Sequence, residues 1–220
     1  MVRLENVSKT YVLHGQRKTV MRNVTLDFPT GATIGLIGRN GAGKSTLMNM
    51  IGGVIEPSSG RILTDGSISY PVGFSGSFHP DLTGVQNTRF VARLYGVDSD
   101  MLVEFVRDFA ELGTQFSLPI RSYSSGMRAR LSFGVSMGIP FDFYLIDEVT
   151  SVGDASFREK SQELFLNRMQ NAGALFCSHQ MAMVRDLCDK CAVLEDAKLT
   201  LYDDVEDAIA HHSRNMKTAA

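Results

Sequence analysis

Cysteine is scarce in this chain: 220 residues contain three, Cys177, Cys188 and Cys191. That is too few for a disulfide-stapled scaffold. The pair in "LCDKC" has C-x-x-C spacing, but neither a second pair nor a nearby histidine cluster completes a zinc site. The thiols are expected to pack as small apolar groups in a reducing compartment. A basic excess is also lacking. The 22 lysines and arginines stand against 24 aspartates and glutamates, for a net charge of -2, so binding dominated by nucleic-acid phosphates is not expected. The opening "MVRLENVSKTY" has no apolar signal core, and no uninterrupted apolar run approaches membrane-spanning length. The expectation is a cytoplasmic chain that reaches a membrane only through a partner. Internal repeats and low-complexity linkers are absent too.

What is present suits a soluble globular domain, with 44% hydrophobic and 21% charged residues. Val2 and Leu4, then Val24, Leu26 and Phe28, alternate in the strand manner and predict an antiparallel β layer. "ATIGLIG" is a short, nearly continuous apolar run, as in a strand buried on both faces, and "KSTLMNMIGG" follows as a helix with Leu47, Met48 and Ile51 on one side. Residues 61 to 73 read as two further short strands. From Thr83 to about Gly138 apolar spacings of three and four predict helices. "FDFYLID" and "ALFCSH", separated by the helix "ASFREKSQELFLNRMQ", form a βαβ unit and imply a parallel sheet. A hairpin, "AVLEDAKLTLYD", and a last helix, "DVEDAIAHHSRNM", close the chain. The fold class is therefore α/β: one domain over residues 1–220, a P-loop core with a mixed sheet, an N-terminal antiparallel layer and a helical subdomain inserted at about 83–138.

"GRNGAGKST", beginning at Gly38, matches G-x-x-x-x-G-K-[ST] between a buried strand and a helix, the context that a phosphate-binding loop requires. Gly38, Gly41 and Gly43 let the backbone bend until its amides, with those of Asn40 and Ala42, point inward at phosphate oxygens. Lys44 is expected to reach the β and γ phosphates, Ser45 to ligate Mg²⁺, and Thr46 to reach the α-phosphate. In "FDFYLIDE", Asp147 ends a buried strand and Glu148 follows it. Asp147 can hold Mg²⁺ and Glu148 can activate the attacking water, or both can cap the next turn. His179, at the tip of the neighbouring strand, can hydrogen-bond the γ-phosphate and that water. "YSSGMRARLSFG", from Tyr123, opens a helix with two serines and a glycine. Its first turn is either a plain cap by Ser124 or Ser125, or an anion site.

These motifs, in this order, resemble the nucleotide-binding subunit of an ABC transporter over essentially the whole chain. "GRNGAGKST" is similar to its Walker A loop, "FYLIDE" to its Walker B strand, "SVGD" (Ser151 to Asp154) to its D-loop, and His179 to its switch histidine. Tyr11 is similar to the residue that stacks on adenine. "YSSGM" resembles the signature LSGGQ, departing from it at Tyr123, Ser125 and Met127. The resemblance implies that Ser124, Ser125 and Gly126 contact ATP held by a second copy, in a head-to-tail homodimer that buries two ATP molecules with Mg²⁺. Asp154 would contribute to that nucleotide site. More narrowly, "SYSSGMRARLSFG", "LIDEVTSVGD" and "LTGVQNTRFVARLYG" resemble the ATPases that export capsular polysaccharide in Gram-negative bacteria, the KpsT type. That implies separate integral membrane permease subunits, further envelope proteins of capsule export, no nucleic acid, and a place on the cytoplasmic face of the inner membrane. Relatives that export O-antigen often carry a carbohydrate-binding extension, and this chain stops near residue 220, which favours the capsule branch over an O-antigen or teichoic acid exporter.

One position departs from the family. "YPVGFSGSFHPDLTG" has no glutamine, whereas the capsule relatives tend to carry one where this chain has His79. His79 can hydrogen-bond water near the metal or line the permease groove around residues 74 to 90. Two rivals are weaker. A small-molecule P-loop kinase needs no "YSSGM" or His179. Soluble ABC-type ATPases of repair or translation generally show a long coiled coil or tandem cassettes, and this chain has neither.

Overall fold

The computed structural model describes residues 1–13, 15–71, 78–147 and 155–218. The expected N-terminal layer is a three-stranded antiparallel sheet. β1 (Val2–Leu13) lies between β2 (Gln16–Phe28) and β4 (Ser59–Thr64). Val2, Leu4, Val24 and Phe28 are buried on one face, as their alternation predicts, and Val7 and Met21 join them. The hairpin is longer than its apolar positions suggest. Register shifts near Val7 and Lys9 and positive-φ backbone at Asn6 and Asn23 break the alternation while pairing continues to Leu13↔Gln16.

The second sheet has the order β5-β6-β3-β7-β8. It comprises β3 (Thr33–Ile37), β5 (Phe143–Asp147), β6 (Gly173–Cys177), β7 (Lys190–Glu195) and β8 (Lys198–Tyr202). The first four pair in parallel, and β8 closes the edge antiparallel to β7. This is the mixed sheet that the βαβ pattern implies. Every residue of β3 is buried, which explains its apolar run. Gly35 at its centre lets α6 (Met181–Leu187) come close, since a β-carbon there would stand 2.8 Å from Val184 Cγ1 and 3.2 Å from Cys191 Sγ. All three cysteines are buried free thiols, as expected of packing residues.

α1 (Lys44–Ile51) buries Leu47, Met48 and Ile51 in the core between the sheets. Of the stretch 61 to 73 expected to hold two strands, the described residues 61 to 71 give only the end of β4 and an isolated bridge, Ile68↔Phe143. Beyond Thr64 the chain is held by the Asp142 carboxylate, which accepts the Ser67 amide (2.8 Å) and hydroxyl (2.7 Å); a local clamp replaces a ladder. Residues 72–77 lie outside the described ones.

The chain divides into two compact units: Met1–Pro71, Phe141–Glu148 and Met169–Ala220 form the first, Val72–Pro140 and Val149–Arg168 the second. The second is helical. α2 (Gly84–Leu94) starts in a reciprocal capping box between Thr83 and Gln86. α3 (Ser99–Ala110) is capped by Asp98, and α4 (Ser125–Gly138) by Ser124. α5 (Ala155–Met169) packs here as well. Phe157 meets the Phe109 ring edge-on at 5.2 Å, and Arg168 Nε donates to the Met137 carbonyl. The last helix, α7 (Val205–Thr218), packs on β7 in the first unit through buried Ala208 and Ile209.

Candidate nucleotide site

Parallel strands deliver their C-terminal ends to one edge of a sheet, which is where α/β folds bind ligands. At that edge β3 passes into the glycine loop. The Ala42 amide donates to the Arg39 carbonyl (3.1 Å), and Gly41 and Gly43 take φ of 75° and 114°, values that side chains disfavour. A β-carbon on Gly38 would lie 2.4 Å from the Leu194 carbonyl, and one on Gly43 3.0 Å from Val20 Cβ. The loop is thus pressed between β7 and β2, and only glycine fits at these contacts.

Among the described residues no side chain caps α1 at Gly43. Its first amides keep their donors for a ligand, with the positive end of the helix dipole behind them. Lys44 is almost fully buried. Its Nζ donates to the carbonyls of Gly38 (2.7 Å) and Arg39 (3.2 Å), which holds the ammonium against the loop.

Asp147 is the exposed last residue of β5 and pairs in register with Cys177 of β6. His179 lies two residues beyond β6 and is also exposed. With Lys44, Ser45 and Thr46 they line one cleft of about 590 Å³. Tyr11 enters from β1. Its hydroxyl lies 3.3 Å from Thr46 Oγ1, and the Lys9 ammonium sits 5.2 Å from the centre of its ring.

Sequence reasoning missed Lys18, which also lines the cleft. It is the cross-strand partner of Tyr11, and its Nζ stands 3.9 Å from where a β-carbon on Gly41 would lie. The signal was the hairpin register: once Tyr11 is placed on one strand, its partner across the turn is fixed on the same face.

The residues fit a polyphosphate. A cradle closed to side chains, uncapped helix amides and two lysines face a single cleft. Among the described residues no group of three or more histidine, cysteine, aspartate or glutamate side chains is placed to hold a metal. Ser45 and Asp147 nevertheless put a hydroxyl and a carboxylate in the same cleft, a donor set suited to Mg²⁺, which takes its other ligands from phosphates and water.

The remaining candidates divide in two. Glu148 and Asp154 lie outside the described residues. Ser124, Ser125, Gly126 and His79 belong to the second unit. Ser124 Oγ accepts the Met127 amide (3.2 Å) and so caps α4, while among the described residues a β-carbon on Gly126 would come within 4 Å only of Ser124 Oγ, at 3.9 Å. Ser124, Gly126 and Arg130 line a hollow of about 470 Å³. His79 is exposed; its Nδ1 accepts the Asp81 amide (3.3 Å), and its own amide donates to Asn87 Oδ1 (2.8 Å). These contacts build the turn into α2.

The family model described as "ABC transporter" matches residues 21–151. The polysialic acid transport ATP-binding protein KpsT of Escherichia coli is 45% identical over 95% of this chain and 95% of its own length. The ATP-binding protein BexA of Haemophilus influenzae is 41% identical over 99% of this chain and 100% of its own. Among solved structures, the dimeric post-hydrolysis state of the ATP-binding cassette MJ0796 bound to ADP and Pi superposes with a TM-score of 0.77, covering 90% of this chain and 96% of that one at 22% identity, a likeness of fold.

Proposed function

This chain belongs to the ABC transporter family and is an ATP-hydrolysing cassette, and we propose that it powers the export of a capsular polysaccharide. The observation that carries the nucleotide reading is the single cleft joining the glycine loop, Lys44, Ser45, Asp147, His179 and Tyr11. The polysaccharide reading is supported by relatives whose names give polysialic acid transport and whose lengths this chain spans almost fully.

In this reading the loop amides and Lys44 hold the β and γ phosphates, and the Tyr11 ring stacks on adenine. Mg²⁺, when bound through Ser45 and Asp147, neutralises charge on the phosphates. Glu148 accepts a proton as water attacks the γ-phosphorus; the bond to the bridging oxygen breaks, giving ADP and inorganic phosphate. His179 hydrogen-bonds the γ-phosphate and stabilises the charge that develops there. The Ser124 helix end of a second copy supplies the other side of the clasp, so two copies close around two ATP molecules and separate after hydrolysis.

Among the described residues no helix is long and apolar enough to cross a membrane. In this proposal, which the likeness to export ATP-binding proteins supports, the chain acts on the cytoplasmic face of the inner membrane through separate permease subunits. Expressed in a capsulated Gram-negative strain lacking its own exporter ATPase, the wild-type chain restores surface polysaccharide and Lys44→Ala does not. If purified protein hydrolyses ATP yet polymer stays inside the cells with a co-expressed cognate permease, the capsule assignment fails.

A further inference from the structure

Two β2 side chains address the glycine loop. Val20 packs on Gly43, with its Cβ 3.0 Å from where a β-carbon there would be. Lys18, two residues earlier on the same strand, reaches the loop as well: its ammonium lies 3.9 Å from the corresponding point above Gly41. It is exposed, and the loop backbone at Gly41 carries no side chain to shield it. Lys44, at the start of α1, is tied to the carbonyls of Gly38 and Arg39. The two ammonium groups thus approach one loop from different elements and line the same cleft.

We propose that Lys18 is a second phosphate-binding cation, which holds the nucleotide's polyphosphate chain from the β-layer side while Lys44 and the loop amides hold it from within. This deepens the nucleotide reading and rests on it. A compact ammonium on a flexible stem suits a multiply charged chain, because it attracts each phosphate without demanding one planar geometry. Its cross-strand partner Tyr11 takes the base in the same reading. One hairpin then meets the nucleotide at both ends: Tyr11 at the neutral ring and Lys18 at the charged tail. The attraction grows with ligand charge, so Lys18 favours ATP over ADP, and ADP over adenosine.

The test is calorimetric titration of the full chain with ATP, ADP and adenosine in EDTA, which removes any contribution from Mg²⁺. For Lys18→Gln, affinity for ATP falls about tenfold, affinity for ADP falls less, and that for adenosine is unchanged; Lys18→Arg recovers most of the loss, and raising the salt narrows the gap between wild type and Lys18→Gln. The melting temperature stays put, as expected for an exposed side chain. Equal ATP affinity in Lys18→Gln and wild type would overturn the proposal and leave the nucleotide reading standing. An equal loss for ATP, ADP and adenosine would also overturn it, since that marks a packing role beside Tyr11. A wild-type chain that binds no ATP would overturn both.

Discussion

A β-carbon built on Gly84 stands 2.5 Å from the Tyr123 hydroxyl oxygen and 2.5 Å from Phe116 Cδ2, so the tyrosine occupies room that glycine at the head of α2 leaves open. Tyr123 is one of the positions at which "YSSGM" departs from LSGGQ, and its role is now physical. The ring is buried, its hydroxyl donates to the Gln115 carbonyl (2.8 Å), and burial pushes the phenol pKa up. The residue that precedes the Ser124 cap is thereby anchored in the helical unit. Gly84→Ala should destabilise this unit by about 1–3 kcal/mol through overpacking, and Tyr123→Phe by about 1 kcal/mol through one lost hydrogen bond, since the Gln115 carbonyl still accepts the Leu118 amide (2.8 Å). Because the lost hydroxyl relieves one of the two clashes, thermal denaturation of the double variant should show less than the sum.

Glu148 follows Asp147 directly, and Asp147 ends β5 inside the nucleotide cleft. A carboxylate one residue further on is the remaining candidate base. Glu148→Gln is expected to keep ATP affinity while lowering turnover at least about a hundredfold. ATP then persists between the copies, and sedimentation velocity should show a dimer that wild type does not accumulate. Turnover like that of wild type would remove Glu148 from the mechanism.

Ser124 offers a second handle on the same clasp. Its hydroxyl caps α4 through the Met127 amide, so replacing it removes a cap worth about 1 kcal/mol wherever the second copy sits. Ser124→Asn keeps a capping oxygen, whereas Ser124→Arg adds a long cation at the helix end. In the Glu148→Gln background both should bind ATP as monomers. Only Ser124→Arg should fail to sediment as a dimer with ATP; an unchanged dimer would refute the contact in trans.

The local features of the fold were legible in the sequence. The glycine loop is contiguous, its neighbours are a buried strand and an amphipathic helix, and each is set by residues within a few positions. Asp147 and His179 were placed correctly at strand ends because the βαβ pattern fixes that β5 and β6 are parallel. Lys18 was not visible, because no motif marks a lone lysine in a strand, and its place follows only once the pairing Tyr11↔Lys18 across the turn is known. The second strand expected in 61 to 73 is reduced, among the described residues, to a bridge at Ile68: Ser67 is held by Asp142, 75 residues away, and no local pattern reports such a partner. α5 reads as a crossover of the sheet, yet its Phe157 and Lys160 contact Phe109 of the helical unit.

Cys188 and Cys191 test the core that stands behind the glycine loop. Both thiols face Gly35, at 3.3 Å and 3.2 Å from where its β-carbon would be, and neither has a disulfide. Burial pushes each thiol up to about 12, with the charges of Cys191 and Asp189 adding to the effect at Cys188. The thiolate is the reactive form, so at pH 8 native protein should be alkylated at these two positions far more slowly than denatured protein, as peptide mass spectrometry can follow. The same shift sets a sign for stability. A thiol whose pKa is raised by folding leaves stability unaffected below the unfolded value near 9; between about 9 and about 12 the unfolded chain loses protons that the folded one keeps, and stability falls by no more than about 1.4 kcal/mol per pH unit for each thiol. Lysines and tyrosines titrate there too, so the informative quantity is the difference between wild type and Cys188→Ala/Cys191→Ala in urea denaturation. It should be constant from pH 7 to 8.5 and shift against wild type by pH 10.5. A constant difference through pH 10.5, or rapid native labelling at pH 8, would show that water reaches the layer between β3 and α6.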